Sequence, residues 1–336
     1  MTEPAIPNAR MPDGHRADLK ENGVQRYAFL LVPEFSMMPF TSAIEAMRAA
    51  NRMSGRTLYT WRTVTLDGVA VTASNGVEIA PHDALETARP GESLVVCAGL
   101  NAERYASARL IAALRRISRT GQALGSVCTG SAILAQAGLL DGYRCTIHWE
   151  EVQSLAENYP RLDVTNRLFE IDRDRFTCSG GTAPLDLMIH LIGRDFGGGI
   201  ATQVADLMLH HHSREADEPQ RIDLAKRLGV HHAGLLQAIA LMEERIETPL
   251  PLPRIARAVG LSQRQLERLF HDLLGTTPSR HYLRLRLERA RDLANKTTAP
   301  IMQIAVSTGF TSAAHFAKCY REHFGHAPSA ERRRLP

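Results

Sequence analysis

No uninterrupted apolar stretch in the 336 residues approaches the ~20 needed to cross a bilayer, so a membrane-spanning protein is not expected. The first 26 residues, MTEPAIPNARMPDGHRADLKENGVQR, carry three prolines and lack the apolar core of a secretory signal. They read as a loose tail that exports nothing. Cysteine is scarce: Cys97, Cys128, Cys145, Cys178 and Cys319 are odd in number, widely spaced and never paired as C-x-x-C. That pattern excludes a disulfide framework and a structural zinc site, and predicts reduced thiols in the cytoplasm. Histidine is clustered at His210, His211 and His212 and at His231 and His232. Neighbours on a helix point about 100° apart and no Cys or carboxylate stands at ligand spacing, so neither run predicts a metal, and no cofactor is expected.

What is present divides the chain in two. A length of 336 exceeds what one core usually organises. From Pro219 onward there are 19 Lys and Arg against 10 Asp and Glu, a net of +9 against +4 for the whole chain, so the remainder carries −5. One domain is therefore suited to a polyanion and the other is not. The stretch Ser213 to Gln220 (SREADEPQ), polar and holding a proline, marks the seam. The expected organisation is a tail over 1–26, a sensing domain over 27–212, a linker over 213–234 and a DNA-binding domain over 235–336.

The basic half contains an internal repeat. Ile255-Ala256 and Ile304-Ala305 recur 49 residues apart, as do Gly260 and Gly309. After a one-residue slip, Leu266, Arg268, Phe270, Gly275 and Pro278 match Phe316, Lys318, Tyr320, Gly325 and Pro328. Each copy reads as helix, tight turn, helix: a small Ala at the helix crossing, a Gly at the turn, a capping Ser262 or Ser312, then apolar residues at helical spacing. A long Arg-rich helix with Leu283, Leu285, Leu287, Ala290 and Leu293 would hold the copies apart. Two helices on one bridge can enter successive major grooves about 34 Å apart. The competing reading is a helical bundle whose arginines merely solvate it.

The run Ala256, Gly260, Ser262, Leu266, Phe270, Gly275, Pro278, Tyr282, Arg286, Ile304, Gly309, Phe310, Phe316, Tyr320, Gly325, Pro328 resembles the AraC/XylS family of bacterial transcription regulators over roughly residues 235 to 334. The resemblance implies Gln263, Arg264, Glu267 and Arg268 over one groove and Ala313, Ala314 and Lys318 over the next. Arg264 and Arg268 suit guanine O6 and N7, whereas Ala313 and Ala314 can offer only methyl contact, as to thymine. The first unit is thus expected to specify sequence and the second to anchor it. Promoter DNA and RNA polymerase are the macromolecular partners implied.

From Tyr27 the chain alternates strand-like and helical runs: strands over Tyr27–Val32, Leu94–Cys97 and Ala123–Val127, helices over Ser42–Asn51 and Ser131–Ala137. This predicts a parallel sheet covered on both faces, with a ligand crevice at the carboxyl ends of its strands. At one such end Ser126-Val127-Cys128-Thr129-Gly130 has the spacing of a nucleophile elbow, with His148 in Thr146-Ile147-His148-Trp149 as a neighbour in space. A second candidate is Cys178-Ser179-Gly180-Gly181-Thr182-Ala183-Pro184, a Gly-rich turn opening a helix with Asp186 and His190, whose amides could receive a carboxylate. Trp149, Phe35 and Phe40 could wall a cation, though each also reads as core.

Residues 27 to 197 resemble the DJ-1/PfpI class of flavodoxin-like domains, with Cys128 on that family's elbow cysteine and His148 on its histidine. Where the enzymes keep an acid after the first strand, this chain has Met37, with Glu34 displaced. A pocket for an effector is therefore expected in place of an active site, and no catalytic residue is assigned; a cysteine-dependent amidase tethered to DNA and an architectural DNA protein are the alternatives. The predicted fold is an α/β flavodoxin-like parallel sheet sensing domain plus an all-α C-terminal domain with two helix-turn-helix units. The whole chain resembles GlxA-like regulators, and CSGGTA, QRIDLAKRLGVHH and SQRQLERLF resemble the arginine-, carnitine- and glycine betaine-responsive subgroup. That implies a small-molecule effector with an amine and a carboxylate, seated near Cys128, Thr129, His148, Trp149, Gly180, Gly181 and Thr182, and a homodimer.

Overall fold

A computed structural model describes residues 23–87, 89, 91–221, 224–296 and 299–331. The predicted tail lies, up to residue 22, outside the described residues. The chain divides into two compact units, the first made of residues up to His148 together with Arg161–Glu218, the second of Trp149–Pro160 together with Pro219 onward.

The strands in chain order are β1 Gln25–Leu31, β2 Tyr59–Thr65, β3 Val71–Thr72, β4 Glu78–Ile79, β5 Asp83–Ala84, β6 Glu92–Cys97, β7 Leu124–Val127, β8 Arg144–Thr146, β9 Asp163–Thr165, β10 Phe169–Asp172 and β11 Arg175–Cys178. Seven form the main sheet of the first unit in the order β10-β11-β7-β6-β1-β2-β5, parallel throughout except for the β10–β11 hairpin. β3 with β4 and β8 with β9 are separate two-stranded pairs. The helices are α1 Met37–Ser54, α2 Ala102–Tyr105, α3 Ala108–Ser118, α4 Gly130–Gln136, α5 Val152–Asn158, α6 Ala183–Phe196, α7 Gly198–Leu207, α8 Leu224–Leu228, α9 Ala233–Glu244, α10 Leu252–Ala258, α11 Gln263–Leu274, α12 Pro278–Lys296, α13 Ile301–Ser307, α14 Ala313–Phe324 and α15 Pro328–Glu331.

The strand pattern explains the layers. Buried on both faces, β1 (QRYAFLL) and β6 (ESLVVC) read as continuous apolar runs. Phe29, Leu31, Val95, Cys97, Val127 and Cys178 enter a core closed by α1, α6 and α7, while α4 lies over the side bearing Val96 and Ser126. Phe35 and Phe40 belong to that first core, edge to face with ring centroids 5.5 Å apart and almost no exposure. Of the two readings the sequence allowed them, core or ligand wall, their burial in this cluster fits the core.

The chain leaves β1 for β2 on one side and returns to β6 on the other, so the winding reverses between β1 and β6. The crevice of such a sheet opens at the carboxyl ends beside that reversal.

The second unit is helical. α10 and α11 pack with α9 around Leu235, Ile239, Ile255, Leu266 and Phe270; α13 and α14 pack with the end of α12 around Leu293, Ile304, Phe316 and Tyr320. Gly260 (φ +71°) and Gly309 (φ +76°) occupy left-handed backbone in the two turns, as the repeat required. Ser262 caps α11 through a reciprocal capping box with Gln265, and Ser312 accepts from the amide of His315 at the start of α14. Among the described residues no helix is long and apolar enough to cross a membrane.

Candidate effector crevice and DNA-reading helices

Cys128 stands directly after β7 with φ +59°, a left-handed conformation that costs a non-glycine residue on the order of 1 kcal/mol or more. The turn survives because its surroundings fix it. The Cys128 amide donates to the carbonyl of Ser179 at 3.2 Å, and its carbonyl accepts from the amide of His148 at 3.1 Å. Behind it, Gly130 lets α4 approach: a Cβ there would lie 2.2 Å from the carbonyl oxygen of Val96. Below runs a buried polar chain from Ser126 Oγ to Ser131 Oγ (2.7 Å), from Ser131 Oγ to the Thr146 carbonyl (2.6 Å), and from the Thr146 amide to Thr177 Oγ1 (2.8 Å). Each hydroxyl satisfies the next, so the elbow rests on a polar network with fixed geometry.

Cys128, His148 and Gly180 converge. A Cβ on Gly180 would fall 2.4 Å from His148 Cδ2 and 3.4 Å from Cys128 Sγ, so the imidazole fills the space that only glycine leaves. Thr129 is turned aside, its Oγ1 donating to the Gly99 carbonyl at 2.6 Å. Gly181 has φ +62° and Thr182 precedes α6, with Oγ1 accepting from Arg214 Nη2 at 2.8 Å. Trp149 belongs to the second unit, where the Arg221 guanidinium stands 4.6 Å over its ring.

At the β1/β6 reversal Glu34, which the sequence offers only as a displaced acid, meets Asn101, a residue that no sequence motif marks. Glu34 (φ +61°) and Asn101 (φ +53°) are both left-handed. Asn101 Nδ2 donates to Glu34 Oε2 at 2.9 Å, and Tyr105 also bonds the Glu34 carboxylate; burial first, then the Glu34 charge and this bond, raise the Tyr105 phenol pKa. Gly99 admits this close approach, since a Cβ there would lie 2.3 Å from the Glu34 carbonyl oxygen. Of the five described non-glycine residues with positive φ, three follow the adjacent strands β1, β6 and β7. The signal available in sequence was an Asn, tolerant of that backbone, two residues after a Gly at a strand end.

Two thiols flank the elbow. Cys97 and Cys178 end β6 and β11, in register with Val127 on either side. Burial pushes both far above the ordinary thiol range, and the charge of a Cys128 thiolate would push in the same direction. Both are inert packing groups.

On the second unit, Leu266 and Phe270 of α11 are buried while Gln263, Arg264, Glu267 and Arg268 are exposed. Gln263 Nε2 donates to Glu267 Oε1 at 2.8 Å, and Arg264 and Arg268 pair with no carboxylate among the described residues. On α14, Ala313, Ala314 and Lys318 are exposed opposite buried Phe316 and Tyr320; Lys318 reaches Glu322 only at 4.0 Å. The arginines of α12 behave differently. Arg286 Nε donates to the Thr308 carbonyl at 2.8 Å with its guanidinium 4.1 Å over Phe310, Arg289 pairs with Glu157 at 3.2 Å, and Arg291 with Glu331 at 2.8 Å. Part of the basic excess counted in the sequence is therefore internal scaffolding.

The histidine runs have other occupations. His210 Nε2 lies 2.6 Å from Asp186 Oδ1, and His232 caps α9 by accepting from the amide of Leu235 at 3.3 Å. Among the described residues no group of three or more His, Cys, Asp or Glu could hold a metal ion.

Two family descriptions match the chain: the DJ-1/PfpI family over residues 25–194 and a helix-turn-helix domain over residues 255–334. The HTH-type transcriptional regulator GbdR of Pseudomonas aeruginosa is 44% identical over 312 residues, 93% of this chain and 85% of that protein. The HTH-type transcriptional regulator GlxA of Rhizobium meliloti is 38% identical over 95% of this chain and 98% of that protein. The crystal structure of an AraC family transcriptional regulator from Pseudomonas putida superposes with a TM-score of 0.50 at 31% identity, covering 55% of this chain and 99% of that one. The chain belongs to the DJ-1/PfpI family, and within it to the DNA-binding transcription regulators in which that domain precedes an AraC-type helix-turn-helix domain.

Proposed function

We propose that the first unit is a non-catalytic receptor for a small zwitterion bearing an amine and a carboxylate, and that its occupancy changes how the second unit engages promoter DNA. The observation that carries the receptor reading is the gathering of Glu34, Asn101 and Cys128, all left-handed, at the carboxyl ends of β1, β6 and β7. Strain of this kind persists where surroundings hold a site ready for a ligand. Glu34 offers the crevice a carboxylate, and the Gly180–Thr182 turn offers amides to an anionic group. A catalytic role for Cys128 lacks its usual acid, because Met37 stands where enzymes of the fold carry one. The protein works in the cytoplasm, as a homodimer, and recruits RNA polymerase at the promoters it binds.

Gln263, Arg264, Glu267 and Arg268 read bases from α11, while Ala313, Ala314 and Lys318 seat α14 in the neighbouring groove. A thermal-shift panel of arginine, carnitine, glycine betaine, sugars and aromatic acids tests the receptor. Stabilisation by the amino acid or betaines is the expected result, and stabilisation by sugars or aromatics alone overturns it. Cys128→Ser should keep ligand-dependent promoter binding; loss of a measurable turnover in that variant would mean that the protein is an amidase instead.

A further inference from the structure

The first unit ends at Glu218, and its last residues are fastened to the elbow in two ways. One is a relay of backbone hydrogen bonds. The Leu168 amide donates to Ala216, the Ser179 amide to Leu168, the Cys128 amide to Ser179 and the His148 amide to Cys128, at 3.0, 2.8, 3.2 and 3.1 Å. The other is a side-chain clasp. Asp186, whose side chain has no exposure, accepts from the Arg214 amide at 2.8 Å, from Arg214 Nε at 3.0 Å and from Arg214 Nη2, and lies against His210 Nε2. Arg214 Nη2 also donates to Thr182 Oγ1, in the turn whose Gly180 packs on His148 and Cys128.

We infer that Arg214 is a positioning residue that couples the wall of the effector crevice to the segment through which the chain leaves the first unit. A buried carboxylate held by one guanidinium gives the exit segment one strongly preferred seat, because removing either partner strands a charge. The same guanidinium holds Thr182, so any ligand that displaces the Gly180–Thr182 turn pulls on residues 214–218. The coupling must run both ways, since it is one free energy shared by two sites. Its role in regulation rests on the receptor reading above; its existence does not, and is measurable without a ligand.

The test uses the full chain and iodoacetamide. Thr182→Val removes the arm to the turn while leaving the Asp186–Arg214 pair, and Arg214→Lys keeps a charge beside Asp186 while losing the forked reach to Thr182. In both, alkylation of Cys128 should quicken by about ten-fold, the signature of ~1.4 kcal/mol lost from local protection, while buried Cys97 and Cys145 stay unlabelled. Conversely, wild-type protein alkylated at Cys128 should show faster amide exchange at Leu168 and over 214–218. Unchanged Cys128 labelling in both variants overturns the inference, as does parallel labelling of every cysteine, which would make the clasp a general prop of the fold. A metabolite panel with no hit alongside a ten-fold change would sink the receptor reading and leave the clasp standing.

Discussion

Gly180 shows how much a single missing side chain decides. Gly180→Ala would place a methyl 2.4 Å from His148 Cδ2, so the imidazole must leave its seat beside Cys128. Gly180 is only partly buried and needs no positive φ, so the fold should survive with a small change in melting temperature. The expected result is loss of the effector-induced thermal shift with DNA binding retained. Gly99→Ala is a different case, because its methyl would meet the backbone of Glu34 at 2.3 Å, which has no rotamer by which to yield. That variant should lower the melting temperature by several degrees, consistent with on the order of 1–3 kcal/mol of forced strain.

Cys128 and His148 were legible in the sequence because the elbow spacing between a strand and a helix is a local pattern. Glu34 was visible only as a displaced acid and Arg214 not at all, since each acquires its contacts from partners far along the chain: Asn101 for the first, Asp186 and Thr182 for the second. Phe35 and Phe40 took the core alternative that the sequence left open, because an aromatic near a strand end reads the same whether it lines a pocket or fills a core.

At the scale of the element, α11 and α14 are built alike but equipped differently. Arg264→Ala and Arg268→Ala should each cost about 1–3 kcal/mol of preference between operator and mutated operator in competitive binding. Lys318→Ala should weaken binding to all sequences equally and reduce the slope of log affinity against log salt by about 1. If substitutions at Ala314 changed operator preference and those at Arg264 did not, the roles of α11 and α14 are reversed. Ser262→Ala removes the N-terminal cap of α11 and should cost about 1 kcal/mol in chemical denaturation, mostly by fraying the turn that carries Arg264. These helices were readable in the sequence because capping, turn and apolar period all act within a dozen residues. Strands β1, β6 and β7 were readable as apolar runs. The short pairs β3–β4 and β8–β9 were not, since two or three residues carry no period of their own.

Across the whole molecule, acid should strike the second unit through two named groups. Glu331 accepts from Arg291 Nε and from the Tyr320 hydroxyl, each at 2.8 Å, and contacts His326. Burial alone would push its carboxyl up, but the bonds from Arg291, His326 and Tyr320 outweigh it and hold the pKa at about 2. Its contribution to stability is complete above the unfolded value near 4.5 and is lost as pH falls toward 2. His281 works over a higher range. Burial, then Arg284 and Arg227, lower its pKa from 6.5 to about 4. Between those values the unfolded chain binds a proton that the folded one refuses, so stability declines as pH drops below 6.5. Urea midpoints of the full chain from pH 7 to 4 should fall in wild type and fall less in His281→Phe, where the imidazole is absent.

The partition of the chain has a consequence for any attempt to take the protein apart. Trp149–Pro160 departs from the first unit immediately after His148 and belongs to the second, where Glu157 answers Arg289 and Arg221 covers Trp149. The polypeptide therefore passes between the units three times, after His148, after Pro160 and after Glu218. A fragment starting at Pro219 would leave Arg289, largely buried, without its carboxylate, and should melt below the same unit in the intact chain. Chimeras that graft one regulator's receptor onto another's DNA reader at a single splice will inherit this mismatch, and a working exchange needs the α5 segment to travel with the helices it serves.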